Sequence, residues 1–225
     1  MIVVTGGGRG LGRAIVDRLR SHGQRVISLN RTDAGEGADS VACDVTDPAS
    51  LKAIARDLRK QGEPVTALIA AAGTASMNLA LTTPPKTAQA LVNTNLLGTI
   101  YSCQAFAPLM IRQKAGRIIT FSTIAVPLAL EGEAVYAASK AGVEAFTRTF
   151  ARDLAPAGLT VNCIAPGPIR TDLLKGVSDQ QIDAILAQQM DKTPATPDDI
   201  ADCVDLLLSD KARALTGQIM HVKGV

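Results

Sequence analysis

The chain has 225 residues, 47% of them hydrophobic and 20% charged, the composition of an ordinary globular protein with room for a sizeable core. That excludes an intrinsically disordered chain. With 23 Lys and Arg against 21 Asp and Glu, a net charge of +2 excludes a polybasic surface for nucleic acid or membrane, and 3% aromatic residues without Trp leave no stacking platform for single strands.

The apolar run Ile2–Val4 leads into a glycine-rich turn, Thr5-Gly6-Gly7-Gly8-Arg9-Gly10-Leu11-Gly12. Leu11, Ala14, Ile15 and Leu19 then fall three and four apart, which is helical spacing, and Gly23 is the stop. Arg25–Leu29 and Val41–Cys43 predict the second and third strands. Asp47-Pro48 opens a helix with Asp as N-cap and Pro at the first position. Its apolar stripe, Leu51, Ile54, Ala55 and Leu58, ends near Gly62. Val65–Ala72 predicts a fourth strand, Pro85–Gln113 a long helical region and Arg117–Ser122 a fifth strand. A helix follows over Ala134–Leu154, then a sixth strand over Leu159–Ile164, closed by Ala165-Pro166-Gly167-Pro168. Ile169–Ala195 is polar with a short helical stretch and reads as a substrate flap. Pro197–Leu208 predicts the last helix and Gln218–Val222 a seventh strand. Short, continuously apolar strands alternating with helices predict one doubly wound, Rossmann-type α/β domain over residues 1–225. Its seven-stranded parallel sheet would be flanked by helices on both faces.

Cys43, Cys103, Cys163 and Cys203 stand alone, without a C-x-x-C pair. They read as buried thiols of a reducing compartment rather than metal ligands or disulfides. The start of the chain lacks the basic and apolar regions of a signal peptide, and no apolar run approaches the ~20 residues of a membrane span. A cytoplasmic protein is expected. His22 and His221 read as structural.

The turn Thr5–Gly12 lies between a strand and a helix, where glycines let the backbone approach a pyrophosphate resting on the helix N-terminus. Gly6, Gly8, Arg9, Gly10, Leu11 and Gly12 are the candidate cofactor residues of this turn. About 20 residues further on, dinucleotide folds place an acid against a ribose hydroxyl, or an Arg against a 2′-phosphate. Here the strand ends Leu29-Asn30-Arg31, with no carboxylate at the tip. Arg31 together with Arg9 favours NADP(H) over NAD(H), because a guanidinium can grip a phosphate with two hydrogen bonds. Asp33 and Glu36 temper that field, and Arg31 as a solvated surface charge is the plainer alternative.

Tyr136-Ala137-Ala138-Ser139-Lys140 sets Tyr and Lys four apart, on one face of the helix after the fifth strand. Ser122-Thr123 ends that strand, where open α/β sheets bind their ligands.

With these motifs, Asp44-Val45, Asn93-Thr94-Asn95-Leu96-Leu97-Gly98, Arg117-Ile118-Ile119-Thr120 and Pro166-Gly167-Pro168-Ile169, the chain resembles the short-chain dehydrogenases/reductases. Within them it resembles the 3-oxoacyl-[acyl-carrier-protein] reductase-like group, along nearly its whole length. The resemblance implies NADPH-dependent reduction of a carbonyl, most readily that of a 3-oxoacyl thioester. Tyr136 would donate the proton; Lys140 would bind the nicotinamide ribose and lower the phenol's pKa. Asn95 would hold a water connecting Lys140 to solvent, or else simply bend the helix. Asp44 and Val45 would contact adenine, although Asp44 also reads as a cap. Pro166, Gly167, Ile169 and Thr171 would frame the nicotinamide. The resemblance also implies a homotetramer packed through the helices after the fourth and fifth strands and through the last strand and helix.

Three departures stand out. The family serine falls thirteen residues before Tyr136, at Thr123, which keeps the hydroxyl but adds a methyl group; Ser122 should face the other way. The family's Asn-Asn-Ala-Gly is Ala70-Ala71-Ala72-Gly73, so Ala71, Ala72 and Gly73 can line the adenosine only through their backbone. Of the basic residues that could meet an acidic acyl carrier protein, Lys114 and Arg117 are candidates, whereas Ala157 stands where a basic residue would help. Apolar Leu173, Leu174, Val177, Ile182, Ile185 and Leu186 in the flap suit an acyl chain. Two alternatives are a secondary-alcohol or sugar dehydrogenase on the same fold and a non-catalytic NADP-binding sensor or scaffold.

Overall fold

A computed structural model describes residues 1–32, 39–169 and 178–225. Its centre is a parallel sheet of seven strands in the order β3-β2-β1-β4-β5-β6-β7. The strands are β1 (Ile2–Thr5), β2 (Val26–Asn30), β3 (Ser40–Ala42), β4 (Ala67–Ala70), β5 (Gly116–Phe121), β6 (Leu159–Ala165) and β7 (Ile219–His221). The order reverses between β1 and β4, so a crevice opens there beyond the carboxyl ends of the strands.

Helices α1 (Gly10–Ser21) and α8 (Pro197–Leu208) cover one face of the sheet. Ile15, Val16 and Leu19 meet Ile200, Val204 and Leu207 there, over Val4, Ile69, Ile119 and Ile164. Helices α2 (Pro48–Gln61), α4 (Gly98–Ile111) and α6 (Ala134–Leu154) cover the other. Leu51, Leu58, Phe106, Met110 and Leu154 pack there on Val3, Leu68, Ile118 and Val161. Neighbouring residues such as Val3 and Val4 thus point into opposite cores, which is why the strands are apolar throughout. Arg18 clamps α1 to α8, reaching Asp202 at 2.8 Å and Asp198 at 2.9 Å.

Helix α2 begins and ends as its sequence dictates. The Asp47 carboxylate accepts the Ala49 and Ser50 amides at 2.9 and 3.3 Å, and Gly62 caps the other end with φ 80°. Elsewhere the boundaries differ from expectation. The helical region over 85–113 divides into α3 (Pro85–Leu91), a π-helical turn (Val92–Leu97) and α4. The wide turn carries Asn95 inward, where its side chain bonds outside its own helix. β4 ends at Ala70, because the chain folds back there, with the Ala71 amide donating to the Ile69 carbonyl at 3.1 Å. A short helix, α5 (Ala125–Leu128), follows β5. Within the flap, α7 (Asp179–Leu186) starts at a capping box in which Ser178 and Gln181 bond reciprocally. Thr171, Leu173, Leu174 and Val177 of the flap, and Asp33 and Glu36, lie outside the described residues.

One expectation is overturned. Lys114 and Arg117 stand at the amino-terminal end of β5, where Arg117 pairs in register with Ala67 and Thr160, the entry points of β4 and β6. The crevice lies beyond the opposite ends of these strands, so neither residue borders it. Parallel strands put the start of β5 a full strand length from its tip.

Cys43, Cys103 and Cys163 are buried and Cys203 is half-buried, all as free thiols. Among the described residues, no helix is long and apolar enough to cross a membrane.

Candidate active site

A cleft of about 760 Å³ runs along the carboxyl ends of β1, β2, β4, β5 and β6. One wall is the glycine turn, Gly6 and Gly8 through Gly12. Asn30, Arg31, Asp44 and Val45 form the far end, Ala71, Ala72 and Gly73 the floor, and Thr123, Tyr136, Lys140, Pro166, Gly167 and Ile169 the other end. Asn95 sits behind the floor, fully buried.

The turn is held too tightly for side chains. Gly6 has φ 73°, and a Cβ there would lie 2.7 Å from the Ala72 Cα. A Cβ on Gly12 would lie 2.2 Å from the Gly6 carbonyl oxygen. Arg9, the N-cap of α1, makes no side-chain cap bond, and the first turn of α1 carries no acid. The amide groups and the positive end of the helix are therefore left to an anion. This backbone cradle fits the pyrophosphate of a dinucleotide. At the far end Arg9 and Arg31 are exposed on the cleft wall. The Asn30 side chain turns inward instead, donating to Ser28 and Ser40 at 3.1 and 3.2 Å. The Asp44 carboxyl is held below its usual range by hydrogen bonds from the Thr46 amide and hydroxyl, with help from the Arg31 charge.

At the other end, α6 and β5 carry the reactive groups. Tyr136, Ser139, Lys140, Glu144 and Thr147 share one buried face of α6, at positions i, i+3, i+4, i+8 and i+11. The end of β5 is tied to that face by several hydrogen bonds, one of them joining the Thr120 and Thr147 hydroxyls at 2.7 Å. Lys140 Nζ donates to the Phe121 carbonyl at 3.0 Å, and Ser122 Oγ donates to Glu144 Oε1 at 2.7 Å. With Ser122 turned into α6, the next residue, Thr123, lines the cleft together with Tyr136, and its hydroxyl accepts the Ala125 amide at 3.2 Å. Asn95 braces the cluster from behind. Its amide accepts the Thr74 N–H at 2.8 Å and donates to the Thr74 carbonyl at 2.9 Å and to Ser139 Oγ at 3.1 Å. Ser139 in turn donates to the Tyr136 carbonyl at 2.7 Å.

The electrostatics differ from expectation at one point. Burial, and then the negative charge of Glu133, push the Tyr136 pKa above that of an ordinary phenol, and the hydrogen bond with Thr123 works only partly against them. Lys140 does not lower it. Burial brings the ammonium itself down to about 8, and its nearest fixed partner is the Phe121 carbonyl rather than the phenol. The phenol therefore stays protonated at neutral pH, the form a proton donor needs.

The sequence reading gave no role to Ser139, Glu144 or Glu133. The first two fall at helical spacing from Tyr136 and Lys140, a signal available in the sequence; Glu133, three residues before Tyr136, shares that spacing but precedes the predicted start of the helix.

A family model described as Enoyl-(Acyl carrier protein) reductase matches residues 6–224. The 3-oxoacyl-[acyl-carrier-protein] reductase FabG of Escherichia coli (strain K12) is 35% identical over 231 residues, covering 99% of this chain and 95% of the relative. Among solved structures, gox2181 superposes with a TM-score of 0.91 at 32% identity over 98% of this chain and 93% of that one. An aldohexose dehydrogenase of Thermoplasma acidophilum superposes with a TM-score of 0.88 at 28% identity, over 98% and 91% of the two chains. The chain belongs to the short-chain dehydrogenase/reductase family, in its 3-oxoacyl-[acyl-carrier-protein] reductase-like group. It is an oxidoreductase acting on CH–OH groups.

Proposed function

We propose that this chain uses NADP(H) to reduce a carbonyl to a hydroxyl, with a 3-oxoacyl thioester as the first substrate class to test. The observation that carries this reading is that Tyr136, Lys140 and Thr123 line the same cleft as the glycine cradle. When bound, the reduced nicotinamide supplies the hydride. Tyr136 gives its proton to the substrate oxygen, and Thr123 donates a second hydrogen bond that holds that oxygen in place. Lys140 binds the ribose hydroxyls, and Arg9 and Arg31 receive the 2′-phosphate. Asn95 fixes Lys140 and Tyr136 indirectly, through Ser139 and the Thr74 loop. Pro166, Gly167 and Ile169 close the nicotinamide end.

The relative's acyl-carrier substrate and the apolar Ile182 and Ile185 on the cleft wall support an acyl thioester. The aldohexose dehydrogenase similarity supports a hydroxylated substrate as the second reading. A homotetramer is part of the same proposal; Ala134, Ala138 and Ala145 are exposed on α6 and would permit close helix approach.

Initial rates with NADPH and NADH, over matched acyl-carrier, acyl-CoA and small-ketone substrates, test the reading. Tyr136→Phe should lose at least about a hundredfold in kcat with NADPH binding nearly intact. Full activity in that variant removes Tyr136 as the donor. Intact NADPH binding with no turnover of any ketone favours the sensor. Light scattering that shows a monomer removes the tetramer.

A further inference from the structure

Glu133 has no place in the chemistry above, yet its side chain lines the cleft beside Tyr136. It precedes α6 as the N-cap residue but makes no side-chain cap bond. Among the described residues, no cation pairs with its carboxylate and no donor reaches it. The lining of the same cleft includes the apolar Met77, Leu130, Ile182 and Ile185. Half-buried there, the carboxylate sheds part of its water without gaining a partner, and a ligand donor that reached it would restore the lost hydrogen bond. Burial raises its pKa, the mark of incomplete solvation. Its charge also works against ionisation of the Tyr136 phenol, so the carboxylate lies within electrostatic reach of the place where the substrate oxygen must sit.

An anion in this position serves no purpose toward a purely hydrocarbon ketone, since alkyl groups offer it nothing. It does serve a substrate that carries an O–H or N–H near the reacting carbonyl. We propose that Glu133 is a specificity-determining residue that accepts a hydrogen bond from such a donor on the substrate. This rests on the carbonyl-reductase reading and narrows its substrate class. Two kinds of molecule have the required chemistry: a thioester whose pantetheine-like arm carries an amide N–H, and a hydroxylated ketone.

Three probes separate these sources from each other and from the absence of any donor. Ethyl acetoacetate carries neither N–H nor O–H, acetoacetyl-N-acetylcysteamine carries an amide N–H, and 4-hydroxy-2-butanone carries a hydroxyl. The readout is the ratio of kcat/KM between a donor-bearing probe and ethyl acetoacetate, measured within one variant. Effects of the substitution on Tyr136 cancel in that ratio. Glu133→Leu should lower the ratio for at least one donor-bearing probe roughly ten- to hundredfold, the worth of a hydrogen bond to a charged group. Glu133→Gln, which keeps an acceptor oxygen, should retain most of it. The probe that loses its advantage identifies the source. An unchanged ratio for both donor-bearing probes in Glu133→Leu overturns the proposal.

Calorimetric affinities of the three probes for Tyr136→Phe with NADP⁺ bound, with and without Glu133→Leu, give a readout independent of turnover. Loss of donor-selective affinity on Glu133→Leu sustains the role of Glu133, and equal affinities overturn it. If the wild type turns over none of the probes, the reductase reading falls while these affinities still decide the case of Glu133.

Discussion

The bond from Ser122 to Glu144 offers a test that needs no substrate. Both residues are buried, at 4% and 6% exposure, and the 2.7 Å contact joins the tip of β5 to α6. Among the described residues the carboxylate's other partner is Arg148 at 3.5 Å, which is more than half exposed and so contributes little. Ser122→Ala therefore strands a buried charge. Hydrogen bonds to charged groups contribute about 1.5–3 kcal/mol, and in a chain of this size each kcal/mol moves Tm by roughly 2–4 °C. The expected fall is about 3–12 °C. Glu144→Gln alone should cost less, because a neutral amide still accepts the hydroxyl. The double variant should cost less than the sum of the two, since after the first change the second removes no contact. Urea denaturation of the four proteins, with constant slope, measures the coupling. The same loosening displaces Thr123, so kcat should drop in Ser122→Ala while NADPH affinity holds. A Ser122→Ala protein as stable as the wild type, or strictly additive costs, would refute the reasoning.

Gly12→Ala places a methyl 2.2 Å from the Gly6 carbonyl, where both partners are backbone, so the turn must open. NADPH titration by fluorescence should show binding lost, with Tm lowered by a few degrees (overpacking costs about 1–3 kcal/mol). Arg31→Ala should weaken NADPH roughly tenfold and leave NADH unchanged; equal losses for both coenzymes would return Arg31 to the status of a surface charge. Lys140 makes stability depend on pH. Unfolded, it titrates at its ordinary 10.5, and folded at about 8, so between these values only the unfolded chain holds the proton and stability rises with pH. Below about 8 both states are charged, and the buried ammonium weighs against folding at a constant level. Lys140→Met should remove that rise, as read from urea midpoints on either side of the window.

Much of the fold was legible because local chemistry and tertiary context agree. Asp47-Pro48 and Gly62 bound α2, and α6 and α8 run over the residues predicted for them. The π-helical turn was not legible, since it is drawn by bonds from Asn95 to Thr74 and Ser139, partners distant in sequence. Of the site, the cradle and the Tyr136, Lys140 and Thr123 positions could be read from motif and count. The direction of the phenol's pKa could not, because burial and the neighbouring Glu133 raise it, while the lysine four residues away is turned to the Phe121 carbonyl. Lys114 and Arg117 show a different limit. Closeness in sequence to a strand says nothing of which end of it faces the ligand.

The hydrogen bond from Lys140 Nζ to the Phe121 carbonyl bears on affinity as well as geometry. A lysine that swings freely in solvent forfeits about 1.5–2 kcal/mol of rotamer entropy when a ligand pins it. Here that entropy is surrendered during folding, when the helix docks on the strand tip. In the role proposed for it, the ammonium meets the coenzyme already aimed, and association carries no further ordering cost for this side chain.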